Sequence, residues 1–370
     1  MTHSVAYRIE KLRLSLAERK IDTLLVLVEE NRRYLSGFTG EDTQFDESAG
    51  ALLINQDKLL LATDSRYELQ ALAEAPLYEI VCYKEGLAKA LPGILNELNT
   101  ERLGFESVRM AFCDYGKITK LLDKVKCAAE LVPVEGVVEK LRIVKEEGEI
   151  EALKKALSIA ESVFTEIRQH LKPGITEKEL AWMMEKGMRE AGADALSFPS
   201  IVAAGTNSAL PHAIPGDRGI NNGEPILFDW GARLNGYCSD ISRTVVMGKP
   251  DRTFVKVFQT VLDAQRLATD AIKPGMSSKA VDKIARDHIE MKGFGGKFGH
   301  GLGHGTGLAI HESPRLSPLK DIVLEPGMVS TIEPGIYLPD WGGVRLENMI
   351  VVRDNGAEVL NRTNPGEYQL

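Results

Sequence analysis

Apolar and polar positions divide the 370-residue chain into two stretches with different rhythms. In the first stretch, short apolar runs alternate with helical patterns. Residues 1–20 place Ile9, Leu12 and Leu16 on one face, which predicts an amphipathic helix. The runs IDTLLVLV (21–28) and GALLINQDKLLLAT (50–63) predict strands, the second a pair turning at Gln56-Asp57. Helical patterns follow at 65–75 and 86–98, then a strand near 102–105. This order predicts a mixed α/β domain of about 130 residues, placed at residues 1–132. The segment ELVPVEGVVEKLRIVKEEGEI (130–150) reads as a connector into a long helix. That helix carries Ile150, Leu153, Leu157, Ala160, Phe164, Ile167 and Leu171 at alternating spacings of three and four, one apolar stripe on a charged rod.

The second stretch, 133–370, repeats itself. Leu171-Lys-Pro-Gly-Ile-Thr-Glu-Lys recurs as Ile272-Lys-Pro-Gly-Met-Ser-Ser-Lys, and each copy predicts a helix ending at Pro-Gly and a new helix capped by Thr176 or Ser277. His212-Ala-Ile-Pro215 is echoed by His311-Glu-Ser-Pro314. An apolar strand ending in an acid comes after each: PILFDWG with Asp229, MVSTIEPG with Glu333. A turn and a second acid follow, Asp240 and Glu347. The offsets are 101, 99, 104 and 107 residues, too regular for chance and too long for a solenoid. The pattern predicts two α+β half-domains about a pseudo-twofold axis.

Those acids have a chemical reading. In DWGARLNGYCSD, Asn235-Gly236 predicts a two-residue hairpin. Pairing about it sets Asp229 opposite Ser242 and Asp240 opposite Gly231, so both acids share a face as diagonal neighbours, roughly 7–8 Å apart at Cα. Carboxylates at that distance repel unless a cation lies between them. GIYLPDWGGVRLENMIVV predicts a matching hairpin with a Gly342-Gly343 turn flanked by Glu333 and Glu347. In FGHGLGHGTGL, glycine occupies every second position from Gly299 to Gly307. An extended chain then carries His300, Leu302, His304 and Thr306 on the other face, with glycine permitting close backbone approach. Four carboxylates and His304 are too many for a tetrahedral structural zinc, and none is a thiolate. They suit two divalent cations sharing carboxylates, the chemistry of a two-metal hydrolase.

Two readings of Arg345 stand side by side: a plain surface ion pair, or a residue on the face of Glu347 that orients the acid or binds a substrate carboxylate. Other chemistries fail on spacing. His311-Glu312 does not extend to HExxH because position 315 is arginine, and neither GxSxG nor a phosphate-loop register occurs. His3, His170 and His288 read as surface or helix residues. A net charge of −8 lacks the basic excess of a nucleic-acid binder. Cys82, Cys113, Cys127 and Cys238 show no CxxC pair, as expected of reduced thiols in a cytoplasmic protein. The charged N-terminus has no signal-peptide core, and the run Leu24–Val28 is too short to span a bilayer, so no membrane role is expected.

At these residues the chain resembles the metallopeptidase group that holds prolidase, aminopeptidase P, methionine aminopeptidase and creatinase. The motifs DWGARLNGYCSD, GHGTGLAIHESP, STIEPGIY and GVRLENM carry the resemblance in the second stretch, and NRRYLSGFTG carries it in the first. The resemblance implies a creatinase-type N-terminal domain and a "pita-bread" catalytic domain. It implies Asp229, Asp240, His304, Glu333 and Glu347 as metal ligands, with Asp240 and Glu347 shared between two ions. It implies that His212 and His311 bind the scissile region and that His300 lines a pocket for a proline ring. Tyr337 and Arg345 match substrate-contacting positions. The implied activity is hydrolysis of the Xaa-Pro imide bond in short proline-containing peptides, with Glu333 as the proton carrier. Mn²⁺ is the first choice of metal, with Co²⁺ or Zn²⁺ as substitutes. A homodimer is expected. A dipeptidase is favoured over an aminopeptidase. A lyase acting on a small zwitterion and a non-catalytic binding module are the competing classes. The second predicts degraded ligands, and none is missing here.

Overall fold

The computed structural model describes residues 2–44 and 47–369, with side chains from residue 4 onward except at 45 and 46. The chain forms two compact units, Met1–Arg142 and Ile143–Leu370.

In the first unit, α1 (Thr2–Glu18) buries Ile9, Leu12 and Leu16 as its periodicity predicts. The side chain of His3 lies outside the described residues. A six-stranded mixed sheet follows the order β4-β3-β2-β1-β5-β6, with β1 (Thr23–Val26), β2 (Ala51–Ile54), β3 (Leu59–Thr63), β4 (Glu79–Cys82), β5 (Arg102–Glu106) and β6 (Glu130–Val134). Central strand β1 is buried at every position, which is why TLLV shows no alternation. The β2–β3 hairpin turns at residues 55–58, where the Asn55 side chain accepts from Asp57 and Lys58 N–H. Helices α2 (Glu29–Ser36), α3 (Glu68–Glu74), α4 (Leu87–Glu97), α5 (Phe112–Val125) and α6 (Glu139–Arg142) complete the unit. Residues 130–134 are an edge strand rather than a connector. Pro133 is tolerated there because an edge strand has one side free of ladder bonds. The unit therefore ends at Arg142, ten residues past the expected 132, because β6 and α6 pack with it.

The second unit begins with α7 (Glu147–Ile167), whose apolar stripe is buried through Ile167. Leu171 falls beyond the helix, which tightens into a 3₁₀ turn at Arg168–His170. His170 is exposed on that turn, and His288 is half-buried within the fourth helix of the unit. The helices α8 (Glu177–Glu190), α9 (Arg252–Ala271) and α10 (Ser278–Ile289) pair as α7 with α8 and α9 with α10. Strands β7 (Ala195–Leu196), β8 (Ile201–Ala204), β9 (Pro225–Trp230), β10 (Ala232–Leu234), β11 (Tyr237–Cys238) and β12 (Ile241–Val246) belong to the first half. The second half holds β13 (Gly303–Gly305), β14 (Glu312–Leu316), β15 (Val329–Ile332), β16 (Gly335–Leu338), β17 (Gly342–Arg345), β18 (Asn348–Arg353) and β19 (Gly356–Val359).

The repeat is written into the backbone. Thr176 and Ser277 cap α8 and α10 with their hydroxyls, as predicted. Gly174 and Gly275 both have positive φ, 90° and 83°, and both donate to a returning segment, at Ile220 O and Leu324 O, each 2.8 Å away. Ile220 and Leu324 donate back to Ile175 and Met276, again at 2.8 Å in each case. This is the pita-bread fold, two α+β halves with an apolar core beneath each helix pair.

Candidate metal centre

Each acid is placed by its neighbours. Along β9 the side chains alternate, so Phe228 and Trp230 are fully buried while Asp229 between them faces the other way. Trp230 is pinned by its indole N–H, which donates to Ala160 O at 2.9 Å, and by Phe164, with ring centroids 4.6 Å apart. The predicted hairpin register holds: Asp229 pairs with Ser242 and Leu234 with Tyr237 about Asn235-Gly236, both with positive φ. The second hairpin differs. Ile332 pairs with Asn348 and Gly335 with Arg345, a register that sets Glu333 level with Glu347 instead of diagonal to it. Gly342 and Gly343 do not make its turn, which residues 339–341 form. They lie inside β17 because the 3₁₀ turn Gly205–Ala209 presses on it: a Cβ at Gly343 would stand 2.2 Å from Ser208 O.

The glycine alternation serves close approach, as predicted. A Cβ at Gly303 would meet Thr331 O at 2.0 Å, and one at Gly305 would meet Ser313 O at 2.2 Å. Only 303–305 forms regular strand, so the single-face expectation fails in part. Leu302 packs into the core, while His300 and His304 reach a cavity.

That cavity has a volume of about 750 Å³. Asp229, Asp240, Glu333, Glu347, His212, His300, His304, His311 and Arg345 all line it. Tyr337 stands behind the wall, its hydroxyl 2.9 Å from both His300 Nε2 and Arg345 Nη1. Arg345 is 2% exposed, which excludes the surface ion pair. Its partner is Asp229, at 2.5 Å, rather than Glu347. Its Nε donates to Ser242 Oγ at 2.9 Å, and that hydroxyl donates to Glu347 Oε2 at 2.8 Å. Ser242 was not singled out by the sequence, although its place opposite Asp229 was the available signal.

The donor set fits divalent cations. Asp240, His304 and Glu347 are buried and offer ligand atoms within 4.8 Å of one another. His304 Nε2 lies 3.3 Å from Glu333 Oε1 and 3.5 Å from Asp240 Oδ2. Its Nδ1 lies 3.1 Å from Gly305 O, and donation there leaves Nε2 as a lone pair facing carboxylates. Asp229 Oδ1 is buried without a hydrogen-bond partner. A lone pair and an orphaned carboxylate oxygen facing other acids have one common remedy, a cation among them.

Burial, then mutual repulsion, raises the Asp240 and Glu347 carboxyls well above their ordinary range, and burial lifts Glu333 to about 7. Burial lowers His304 to about 3 and His300 to about 4. The signs oppose one another. Raised acids bind more protons folded than unfolded, so their stabilisation is lost as pH rises through the raised values. Lowered histidines bind fewer protons folded, so their stabilisation is lost as pH falls below about 6.5. Above about pH 6.5 only the acids act. Chelated protein should therefore melt at a lower temperature at about pH 8 than at about pH 6.5, and a divalent cation should raise Tm more at the higher pH. Thermal melts of chelated and reloaded protein check this, and a chelated Tm that climbs over that interval would contradict it.

Residues 151–354 match the metallopeptidase family M24 model, and residues 8–144 match the Creatinase/Prolidase N-terminal domain. The chain belongs to metallopeptidase family M24. As a member it is a metal-dependent hydrolase. It is 37% identical to a Xaa-Pro dipeptidase of Pyrococcus furiosus over 96% of this chain and 98% of that protein. Its fold is similar to that of a Xaa-Pro dipeptidase from Bacillus anthracis, with a TM-score of 0.92 and 40% identity, covering 99% of this chain and 100% of that one. It is also similar to an X-Pro aminopeptidase from Thermotoga maritima, with a TM-score of 0.86 and 36% identity, over 96% and 99% of the two chains. Among the described residues, no helix is long and apolar enough to cross a membrane.

Proposed function

We propose that this family M24 chain is an exopeptidase that hydrolyses the Xaa-Pro imide bond of dipeptides, using two divalent metal ions. The observation that carries the reading is the cavity itself, which four acids and His304 line together with His212, His300 and His311. Its volume lies within the range of pockets that enclose small ligands. Asp229, Asp240, His304, Glu333 and Glu347 would hold the ions, with Asp240 and Glu347 shared. A carboxylate-rich shell favours Mn²⁺, and Co²⁺ or Zn²⁺ would substitute. When bound, the ions polarise the scissile carbonyl and make water acidic enough to attack at neutral pH.

The protein's own groups do the rest. Glu333, steadied by Thr331 Oγ1 at 3.1 Å, would take a proton from the attacking water. It then gives that proton to the departing proline nitrogen, which must be protonated to leave. His212 and His311 offer ring N–H groups to the developing oxyanion. His300, kept neutral by burial and tied to Tyr337 and to Gly301 O at 2.8 Å, forms a rigid wall for the proline ring. A bond without N–H suits this enclosed site, because nothing in the wall must accept from it. Four free thiols agree with a reducing cytoplasmic setting, and a homodimer is the companion expectation.

The deciding experiment compares Xaa-Pro dipeptides with Xaa-Pro-Yaa tripeptides on Mn²⁺-loaded protein. Dipeptides should turn over at least about tenfold faster in kcat/KM, a transition-state difference of roughly 1.4 kcal/mol. Faster tripeptides would make the chain an aminopeptidase like its Thermotoga neighbour. No turnover of any Xaa-Pro peptide would sink the peptidase reading and return attention to a lyase on the same ligands.

A further inference from the structure

His212 lies in the stretch of chain between β8 and β9, where regular ladder pairing is missing. Residues 205–209 form a 3₁₀ turn, and the chain then runs through two exposed apolar side chains, Leu210 and Ile214, before returning at Gly216. His311, its counterpart in the repeat, sits beside a ladder, β13 on β14, which pairs Gly305 with Glu312 beyond a bulge. Something else must hold the His212 segment in one place.

Glu177 does this. It is the first residue of α8 and is 1% exposed. Its carboxylate accepts from Ala204 N–H at 2.7 Å, from Asn207 Nδ2 at 2.8 Å and from Gly216 N–H at 2.8 Å. Ala204 and Gly216 are the two ends of the His212 segment, so one carboxylate ties both ends together. The middle is pinned from the cavity side, where Arg345 Nη1 donates to Pro211 O at 3.1 Å and Gly343 N–H donates to Ser208 Oγ at 2.8 Å. In the repeat the acid at the start of α10 is Asp321, which accepts from Ser277 Oγ at 2.6 Å and from Lys279 N–H at 3.3 Å. The equivalent of Glu177 is Ser278, whose hydroxyl accepts only from Ile322 N–H, at 3.1 Å. A carboxylate at the first helical position occurs in the half whose histidine segment has no ladder.

We infer that Glu177 is a positioning residue for the peptidase reaction, setting His212 against the substrate by closing its segment at both ends. This rests on the role given to His212 above. A misplacement of about 1 Å far from the chemistry can cost about a hundredfold in rate.

The test is a double-mutant cycle on metal-loaded protein with an Xaa-Pro dipeptide: wild type, Glu177→Gln, His212→Ala and the double variant. Glutamine keeps the shape but turns a donor toward donors. Glu177→Gln should lower kcat/KM about ten- to hundredfold with metal content unchanged. In the His212→Ala background it should cost no more than about twofold, because the residue it positions is gone. A Glu177→Gln protein within about twofold of wild type overturns the inference, and so do losses that multiply in the double variant, which mark a purely structural role. A His212→Ala protein that keeps wild-type turnover overturns it as well. Turnover by the wild-type chain separates these outcomes from failure of the peptidase reading. If Glu177→Gln does not fold, Asn207→Ala removes one of the three contacts, and its smaller loss should likewise vanish without His212.

Discussion

Replacing Asp240 with asparagine should abolish turnover without weakening the fold. The substitution keeps the shape but removes a charge and turns an amide toward the cation site. Bound metal should fall below two per chain, and kcat/KM on an Xaa-Pro dipeptide should fall at least about a thousandfold, roughly 4 kcal/mol of transition-state stabilisation. Stability should move the other way. Asp240 is buried among Glu347, Asp229 and Glu333, and burial with those neighbours disfavours its charge. In chelated protein the asparagine variant should therefore be at least as stable as wild type. Metal analysis, kinetics and urea unfolding on one preparation check all three statements. Activity above about a tenth of wild type, a loss of only about 1.4 kcal/mol, would contradict the ligand assignment.

Arg345→Met should do the reverse damage. The guanidinium is the buried cation among these acids, and it donates to Asp229, Ser242, Pro211 O and Tyr337. Methionine fills some of the volume and satisfies none of these groups. Breaking one side of a buried pair strands the other, typically at a cost of about 3–5 kcal/mol. The chelated variant should unfold at clearly lower urea, and metal should restore part of the loss by neutralising Asp229. Arg345→Lys should recover only a fraction, since one ammonium cannot reach four acceptors in a planar fork. A chelated Arg345→Met protein within about 0.5 kcal/mol of wild type would show that the arginine is not the counter-charge.

The convergence of the four acids on one cavity was readable because each interrupts a run of residues that must be buried. Asp229 stands between Phe228 and Trp230, and the Asn235-Gly236 turn sets the register that aims it. The repeat then supplied the second pair by analogy, and there the analogy overreached. Glu333 and Glu347 sit level rather than diagonal, because the second hairpin turns at 339–341 and its glycines serve the contact with Ser208. Arg345 shows a different limit: its two readings differ only in burial, which depends on strands about a hundred residues away in sequence. In the first unit, α5 was missed because its buried face rests on Ile118 and Leu122 alone, with Gly116 and three β-branched residues lowering helix propensity. β6 was missed because a proline at an edge strand looks like a break.

The division of the donors between two halves has a consequence for how the chain is made. Asp229 and Asp240 precede Glu333 and Glu347 by 104 and 107 residues. At about 5–20 residues per second, the ribosome releases the second pair roughly 5–20 s after the first. Through most of that interval the nascent chain carries the two aspartates alone, and His304 joins them 29 residues ahead of Glu333. On the proposed ligand assignment, metal loading would wait for Glu347 to emerge.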